Sequence, residues 1–236
     1  MKPLCNKKVI IVMRHGERID LVDRKKQRLK EYDPELTALG KKQAKEIGQR
    51  VLERCDKFDY VNVYSSPFTR TLMTGLAFID NFNICDNKCI YISKDLSEFL
   101  SINGFKYDPL PTLLINNTNK FIRESFLNFD DINVKYFTNK DSKDMIKYPE
   151  VFEDAVKRYT SIGEEIFERI KNDNKKGNSL NVIITHGYGV QIITDLLLSK
   201  CKSHKNIVIF PEYCSSYCFN YINDTLSYVD EIEPSF

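Results

Sequence analysis

Several features that would direct the reading of a 236-residue chain are missing or scarce here. No apolar run approaches the roughly 18 residues of a membrane span. The start, Met1-Lys2-Pro3-Leu4-Cys5, leads into the charged pair Lys7-Lys8, with no long hydrophobic stretch before a small-residue cleavage site. Membrane and secretory roles are therefore not expected. The net charge is only +2, from 35 basic and 33 acidic residues, too little to expect a nucleic-acid surface. The longest basic cluster, Arg24-Lys25-Lys26-Gln27-Arg28-Leu29-Lys30, reads as a solvated loop or helix face, the alternative being the rim of a pocket for an anionic substrate. The seven cysteines include no CxxC pair and no histidine at zinc-finger spacing, so reduced, mostly buried thiols in a cytoplasmic protein are expected. Histidine is scarce: His15, His186 and His204 must supply any imidazole chemistry.

What is present describes a folded α/β chain. At 42% hydrophobic and 29% charged residues, it can bury a real core. Lys8-Val9-Ile10-Ile11-Val12-Met13 and Asn181-Val182-Ile183-Ile184-Thr185 are continuous apolar runs of the kind buried on both faces in a parallel sheet. Tyr60–Tyr64 and Cys89–Ile92 read as further strands, and 217–222 with 226–229 as a closing hairpin around Asn223-Asp224. Helical spacing of apolar residues recurs over 41–55, after Ser65-Ser66-Pro67, over 151–170, and from about Val190 to Leu198. Thr37 is the expected N-cap of the first of these helices. Strands alternating with helices predict a three-layer α/β/α sandwich with a mainly parallel central sheet. No short repeat is visible. The expected organisation is one domain over 1–236, with 101–148 forming an inserted loop or small subdomain.

Two of the three histidines share one local setting. His15 and His186 each end a buried strand, and each is followed at once by glycine, Gly16 and Gly187. Ligands of open α/β sheets bind beyond the carboxyl ends of the strands, so both imidazoles can face one crevice. The glycines there let backbone N–H groups approach an anion. The alternative is a pair of hydrogen-bonded structural histidines. Arg14 precedes His15, Arg18 follows it by one turn, and Arg70 opens the helix after Ser65-Ser66-Pro67. Singly each reads as a surface arginine; together they form a cage in which guanidinium groups can grip a dianion bidentately.

Arg14-His15-Gly16-Glu17 resembles the RHG signature of the histidine phosphatase superfamily. Leu36-Thr37-Ala38-Leu39-Gly40-Lys41-Lys42-Gln43-Ala44, Ser66-Pro67-Phe68-Thr69-Arg70, Leu96-Ser97-Glu98 and His186-Gly187 follow in that family's order. The stretch Arg14–Arg18, the segment Tyr148–Phe152 with Arg158-Tyr159, and Cys214–Cys218 are similar to the branch of the suppressor-of-T-cell-receptor-signalling and ecdysteroid-phosphate phosphatases. Asp20 stands where acid phosphatases and phytases carry proline, and Gly187 where they carry aspartate. The Trp-Asn pair usual after the mutase motif is absent.

The resemblance implies a phosphomonoester hydrolase that needs no metal or other cofactor. Neutral His15 attacks phosphorus while Arg14, Arg18, Arg70, Gly187 and a protonated His186 hold the phosphoryl oxygens. Glu98 protonates the leaving oxygen and then activates water, a role for which some burial is expected. Glu17 is a rival acid whose position beside the nucleophile suggests a structural role, and Thr185 either bonds near the phosphate or finishes its strand. Substrates would be phosphorylated small molecules or phosphoproteins. Phe99, Phe105, Tyr107, Phe121 and Phe126 either line a slot for phosphotyrosine or another bulky ester, or pack the core of the subdomain. A mutase-type phosphotransferase and a non-catalytic phospho-ligand module are the alternatives. The relatives suggest a homodimer, which nothing in this sequence shows.

Overall fold

The computed structural model describes residues 8–22, 32–54, 57–85, 87–114, 132–137, 146–202, 207 and 209–236. The basic cluster at 24–30, His204, Phe121 and Phe126 lie outside the described residues. Seven strands are formed: β1 (Lys8–Arg14), β2 (Tyr60–Ser65), β3 (Lys88–Ile92), β4 (Ile132–Tyr136), β5 (Ser179–Thr185), β6 (Ser216–Ile222) and β7 (Thr225–Ile232). They make one sheet in the order β4-β3-β2-β5-β1-β6-β7. Strands β1 to β5 are parallel, and β6 and β7 complete the sheet antiparallel.

The long helices are α2 (Ala38–Glu53), α3 (Thr69–Ile79), α5 (Phe152–Lys171) and α6 (Gly187–Ser199), with short turns at α1 (Ile19–Val22) and α4 (Leu110–Leu114). Alternation along β1 explains the layers. Val9, Ile11 and Met13 pack with Ala44, Ile47, Leu72 and Leu76 of α2 and α3. Ile10 and Val12 pack on the opposite face with Ala155, Tyr159, Val190 and Ile193 of α5 and α6. A strand buried on both faces is apolar throughout, which is why these runs lack alternation. The expected mainly parallel α/β/α sandwich is the architecture found. The hairpin turns on Asn223 and Asp224, both at positive φ (46° and 59°), as a two-residue turn between twisted strands demands.

The segment 101–148 differs from a wholly separate insertion. Its residues Ile132–Tyr136 return to the sheet as β4, pairing parallel with β3 at the edge. Only Ile132 of this strand is buried, so its sequence carries little of the signal that marked β1 and β5. A small apolar cluster of Phe68, Leu100, Phe105, Leu110 and Leu113, with Tyr32 and Tyr148 against it, forms a third packing unit.

Gly16 and Gly40 are set by a close approach. A Cβ on Gly16 would stand 2.4 Å from the Gly40 carbonyl oxygen, and one on Gly40 would stand 2.4 Å from that of Glu17. The loop after β1 thus presses on the first turn of α2. Thr37 caps that turn by accepting the Gly40 N–H at 2.8 Å, as expected.

Candidate active site

Parallel register brings the two histidines together. Arg14 pairs with Thr185, so His15 and His186 leave neighbouring strands at the same level, and the His15 N–H bonds the Thr185 carbonyl at 3.1 Å. Their ring centroids lie 5.2 Å apart, edge to face, and both residues are buried. On the other side of β5, Ser66 donates its N–H to the Ile184 carbonyl at 3.2 Å, and its hydroxyl lies 3.0 Å from His186 Nε2.

The hydrogen-bond partners assign both tautomers. His15 Nδ1 lies 2.8 Å from the Gly16 carbonyl, which can only accept, so Nδ1 carries the proton and Nε2 the lone pair. Burial, then the positive charge of Arg70, hold His15 well below the usual histidine range, against the pull of the Gly16 carbonyl. It is neutral near neutrality, with the lone pair on Nε2. His186 Nδ1 faces Arg70 Nη2 at 3.3 Å. Arginine only donates, so His186 accepts there and donates Nε2–H to Ser66. Burial first, then Arg70 and His15, also depress its proton affinity. The protonated His186 implied by the resemblance is thus not the state this environment favours: burial and the neighbouring Arg70 oppose a second cation.

The arginines divide. Arg70, at the start of α3, is fully buried; its guanidinium lies 4.3 Å from the Phe68 ring centroid and bonds Glu98 through Nη2. Its Nε and Nη1 are buried and meet no hydrogen-bond acceptor among the described residues. Arg14 donates Nη1 to the Pro211 carbonyl at 2.9 Å and stacks 4.4 Å from the Tyr213 centroid, while its Nε is buried without an acceptor. Buried unpaired donors of this kind are costly, and together they describe an anion cradle. Arg18 differs from expectation: its fork is taken by Asp20, Nε at 3.0 Å and Nη2 at 2.7 Å. It acts on the site as a nearby positive charge that further depresses His15.

Glu98 stands beside both groups, bonded to Arg70 and 3.6 Å from His186 Nδ1. Its side chain is 30% exposed, more open than the burial expected of it, because it sits at the mouth and not under the sheet. The backbone carrying it is held from below. The carbonyls of Asp95 and Ser97 accept from Arg158 Nη1 at 2.8 and 2.9 Å, and that of Leu96 accepts from the Thr185 hydroxyl at 2.7 Å. The Tyr159 hydroxyl also reaches the Ser97 carbonyl. Thr185 therefore both finishes its strand and ties β5 to this segment, away from the cradle.

Gly16 does not offer its N–H to an anion, since Thr74 Oγ1 accepts it at 3.1 Å. Gly187 has nothing within 4 Å of a would-be Cβ and opens the first turn of α6, whose positive end faces the site. Glu17 accepts from Thr37 Oγ1 at 2.7 Å, a structural bond. Phe105 is buried in the small apolar cluster. Tyr107 packs edge-on against Tyr32. Phe99 instead joins Phe152 and Tyr188, 44% and 51% exposed, with centroids 5.4–6.0 Å apart. Tyr213, Ser66 and Thr74 are site residues that sequence reasoning missed. Only Ser66 carried a signal, lying inside a quoted motif.

Residues 10–106 match the family model described as histidine phosphatase superfamily (branch 1). No curated protein matches the chain in sequence. Among solved structures, the chain is similar in fold to the ecdysone phosphate phosphatase of Bombix mori in complex with tungstate. The TM-score there is 0.70 at 17% identity, covering 98% of this chain and 95% of that one. It is also similar to the phosphoserine phosphatase of Entamoeba histolytica in complex with 3-phosphoglyceric acid. That comparison gives a TM-score of 0.54 at 14% identity over 97% and 98% of the two chains. YhfR of Bacillus stearothermophilus gives 0.54 at 16% identity over 94% and 95%. At these identities the likeness is one of fold.

Proposed function

We propose that the protein, whose residues 10–106 match the histidine phosphatase superfamily model, is a member of that superfamily and hydrolyses phosphomonoesters through a phosphohistidine on His15. The observation that carries this reading is the neutral His15, its Nδ1 proton fixed on the Gly16 carbonyl, beside the buried unpaired nitrogens of Arg70 and Arg14.

In the first step the Nε2 lone pair of His15 forms an N–P bond as the P–O bond to the alcohol breaks. Arg70 and Arg14 meet the equatorial oxygens, where charge spreads in the transition state. A dianion on Arg70 takes over the nitrogen that Glu98 otherwise holds; the freed carboxylate, open at the mouth of the site, takes a proton from solvent and delivers it to the leaving oxygen. In the second step Glu98 takes a proton from water, the water oxygen bonds phosphorus, and the N–P bond breaks. Inorganic phosphate leaves and His15 is again neutral. His186 holds the cradle in place through Arg70 and Ser66, and gains a proton only when a dianion sits beside it.

The substrate side of the site is aromatic. Phe99 follows Glu98 in the chain and Tyr188 follows His186 by two, and with Phe152 they form a partly exposed aromatic cluster on the segments that carry the proposed acid and the second histidine. This supports a bulky or aromatic ester, phosphotyrosine among them, and agrees with a structural relative named for ecdysone phosphate. The test is hydrolysis of p-nitrophenyl phosphate in EDTA by wild type and His15→Ala, with acid-labile, base-stable phosphate trapped on the protein. Turnover that survives chelation and vanishes with His15 is expected. An inert wild type, or a turning-over His15→Ala, ends the proposal.

A further inference from the structure

The residue that matters here lies beneath the site. Arg158, on α5, is fully buried, and its fork grips Glu150: Nε to Oε1 and Nη2 to Oε2, both at 2.7 Å. Its remaining donors go to one short stretch of backbone. Nη1 reaches the carbonyls of Asp95 and Ser97, and Nη2 also reaches that of Glu98 at 3.4 Å. Glu150 closes the same loop from its far side, accepting the Leu100 N–H on Oε2 at 3.1 Å and donating its own N–H to the Leu100 carbonyl at 2.9 Å. With Thr185 on the Leu96 carbonyl and Tyr159 on that of Ser97, four consecutive carbonyls from Asp95 to Glu98 are bonded by buried side chains.

Buried carbonyls need partners wherever they lie, but here they are met by side chains of α5 and β5, which ties the segment to both elements. What the anchoring does is fix the Glu98 Cα, leaving only its side-chain rotamers to move between Arg70 and the leaving oxygen. A proton donor must lie within hydrogen-bond reach of its acceptor, and small misplacements are costly.

We infer that Arg158, held by Glu150, is a positioning residue that sets the reach of the Glu98 carboxyl and so determines how far the enzyme can use poor leaving groups. This rests on the acid role of Glu98 proposed above. A substrate whose alcohol leaves readily as an anion hardly needs the proton, whereas an alkyl ester depends on it. Arg158 therefore separates activated from unactivated phosphoesters without touching either.

The experiment is a leaving-group series, p-nitrophenyl, phenyl and an alkyl phosphate, read as kcat/KM, which ends at departure of the alcohol. Arg158→Lys keeps a cation opposite Glu150 but replaces the fork by one nitrogen. It is expected to hold p-nitrophenyl phosphate within about three-fold of wild type and to lower the alkyl ester at least about ten-fold further. Tyr159→Phe, which changes one hydroxyl and no charge, gives a smaller steepening in the same direction, about two- to five-fold. Glu98→Gln should be steep by itself, and Arg158→Lys added to it should change the slope by less than about two-fold. If Arg158→Lys and Tyr159→Phe lower all three esters equally beside a steep Glu98→Gln, the positioning role is overturned alone. If Glu98→Gln keeps the wild-type slope while His15→Ala is dead, the acid assignment falls and this inference with it.

Discussion

Arg70 and Arg158 are both buried to about the same degree, and both hold a glutamate. They differ in what is left over. Every nitrogen of Arg158 has an acceptor, two of them on a carboxylate that is itself buried. Arg70 reaches one carboxylate oxygen at the mouth of the site and keeps Nε and Nη1 unpaired. A saturated guanidinium is architecture, while an unsaturated one in the same degree of burial is a binding site held at a cost in stability. Burial alone tells the two apart no better than sequence does; the count of unmet donors does.

The largest effect should come from breaking the saturated pair. Arg158→Met leaves Glu150 buried without its cation, and unfolding in urea should show a loss of about 3–5 kcal/mol. Glu150→Gln combined with Arg158→Met should recover part of it; if the double variant is no better than the single, burial of charge is not the cause. Next comes Arg70→Met, which should lower kcat/KM by about 2.7–4 kcal/mol of transition-state stabilisation. Its unfolding free energy should be unchanged or higher, and a clear loss of stability there would erase the contrast between the two arginines.

A third test uses inorganic phosphate as a ligand of the cradle. At about 100 times its Kd it should stabilise wild type and Arg158→Lys by about 2.7 kcal/mol, and Arg70→Met hardly at all. Equal stabilisation of all three would place the phosphate elsewhere. The smallest expected effect is on pH. Burial and then Arg70 depress both His15 and His186, so the unfolded chain takes up protons that the native state refuses as pH falls below about 6.5. Stability contributed by the neutral imidazoles is complete above that pH and lost below it, by about 1 kcal/mol for each histidine between pH 7 and 5.5. The acid limb of kcat/KM should lie below pH 6.5 in wild type and move upward in Arg70→Met, whose positive charge is gone. An unmoved limb would remove Arg70 from the causes and leave desolvation, with the other nearby cations, to depress the histidines.

Much of this was legible in the chain. The two strands that end at His15 and His186 are apolar without interruption, and that pattern predicted both their burial and the meeting of the imidazoles. Thr37 declared the start of α2, and Asn223-Asp224 the last turn. Other parts were hidden for definite reasons. Strand β4 buries one residue, and its five residues alternate apolar and polar without the continuous apolar run that marked β1 and β5. Tyr213 lies in the irregular 209–215 stretch, where nothing periodic fixes a direction. Arg18 was read beside phosphate because Asp20, two residues on, gives no sign from spacing alone that it will take the whole fork. Arg158 did leave a trace: three after Ala155 and four before Ile162, it occupies a position that α5 otherwise reserves for its buried stripe. A charged residue in such a place asks for a buried partner, and Glu150 is eight residues away.

Thr185 has a consequence of another kind. Its carbonyl receives the His15 N–H, and its hydroxyl holds the Leu96 carbonyl. One residue is thus the common datum from which the His15 and Glu98 segments are both measured. If β5 slides or tilts as the molecule breathes, the two travel together and the span between them is preserved.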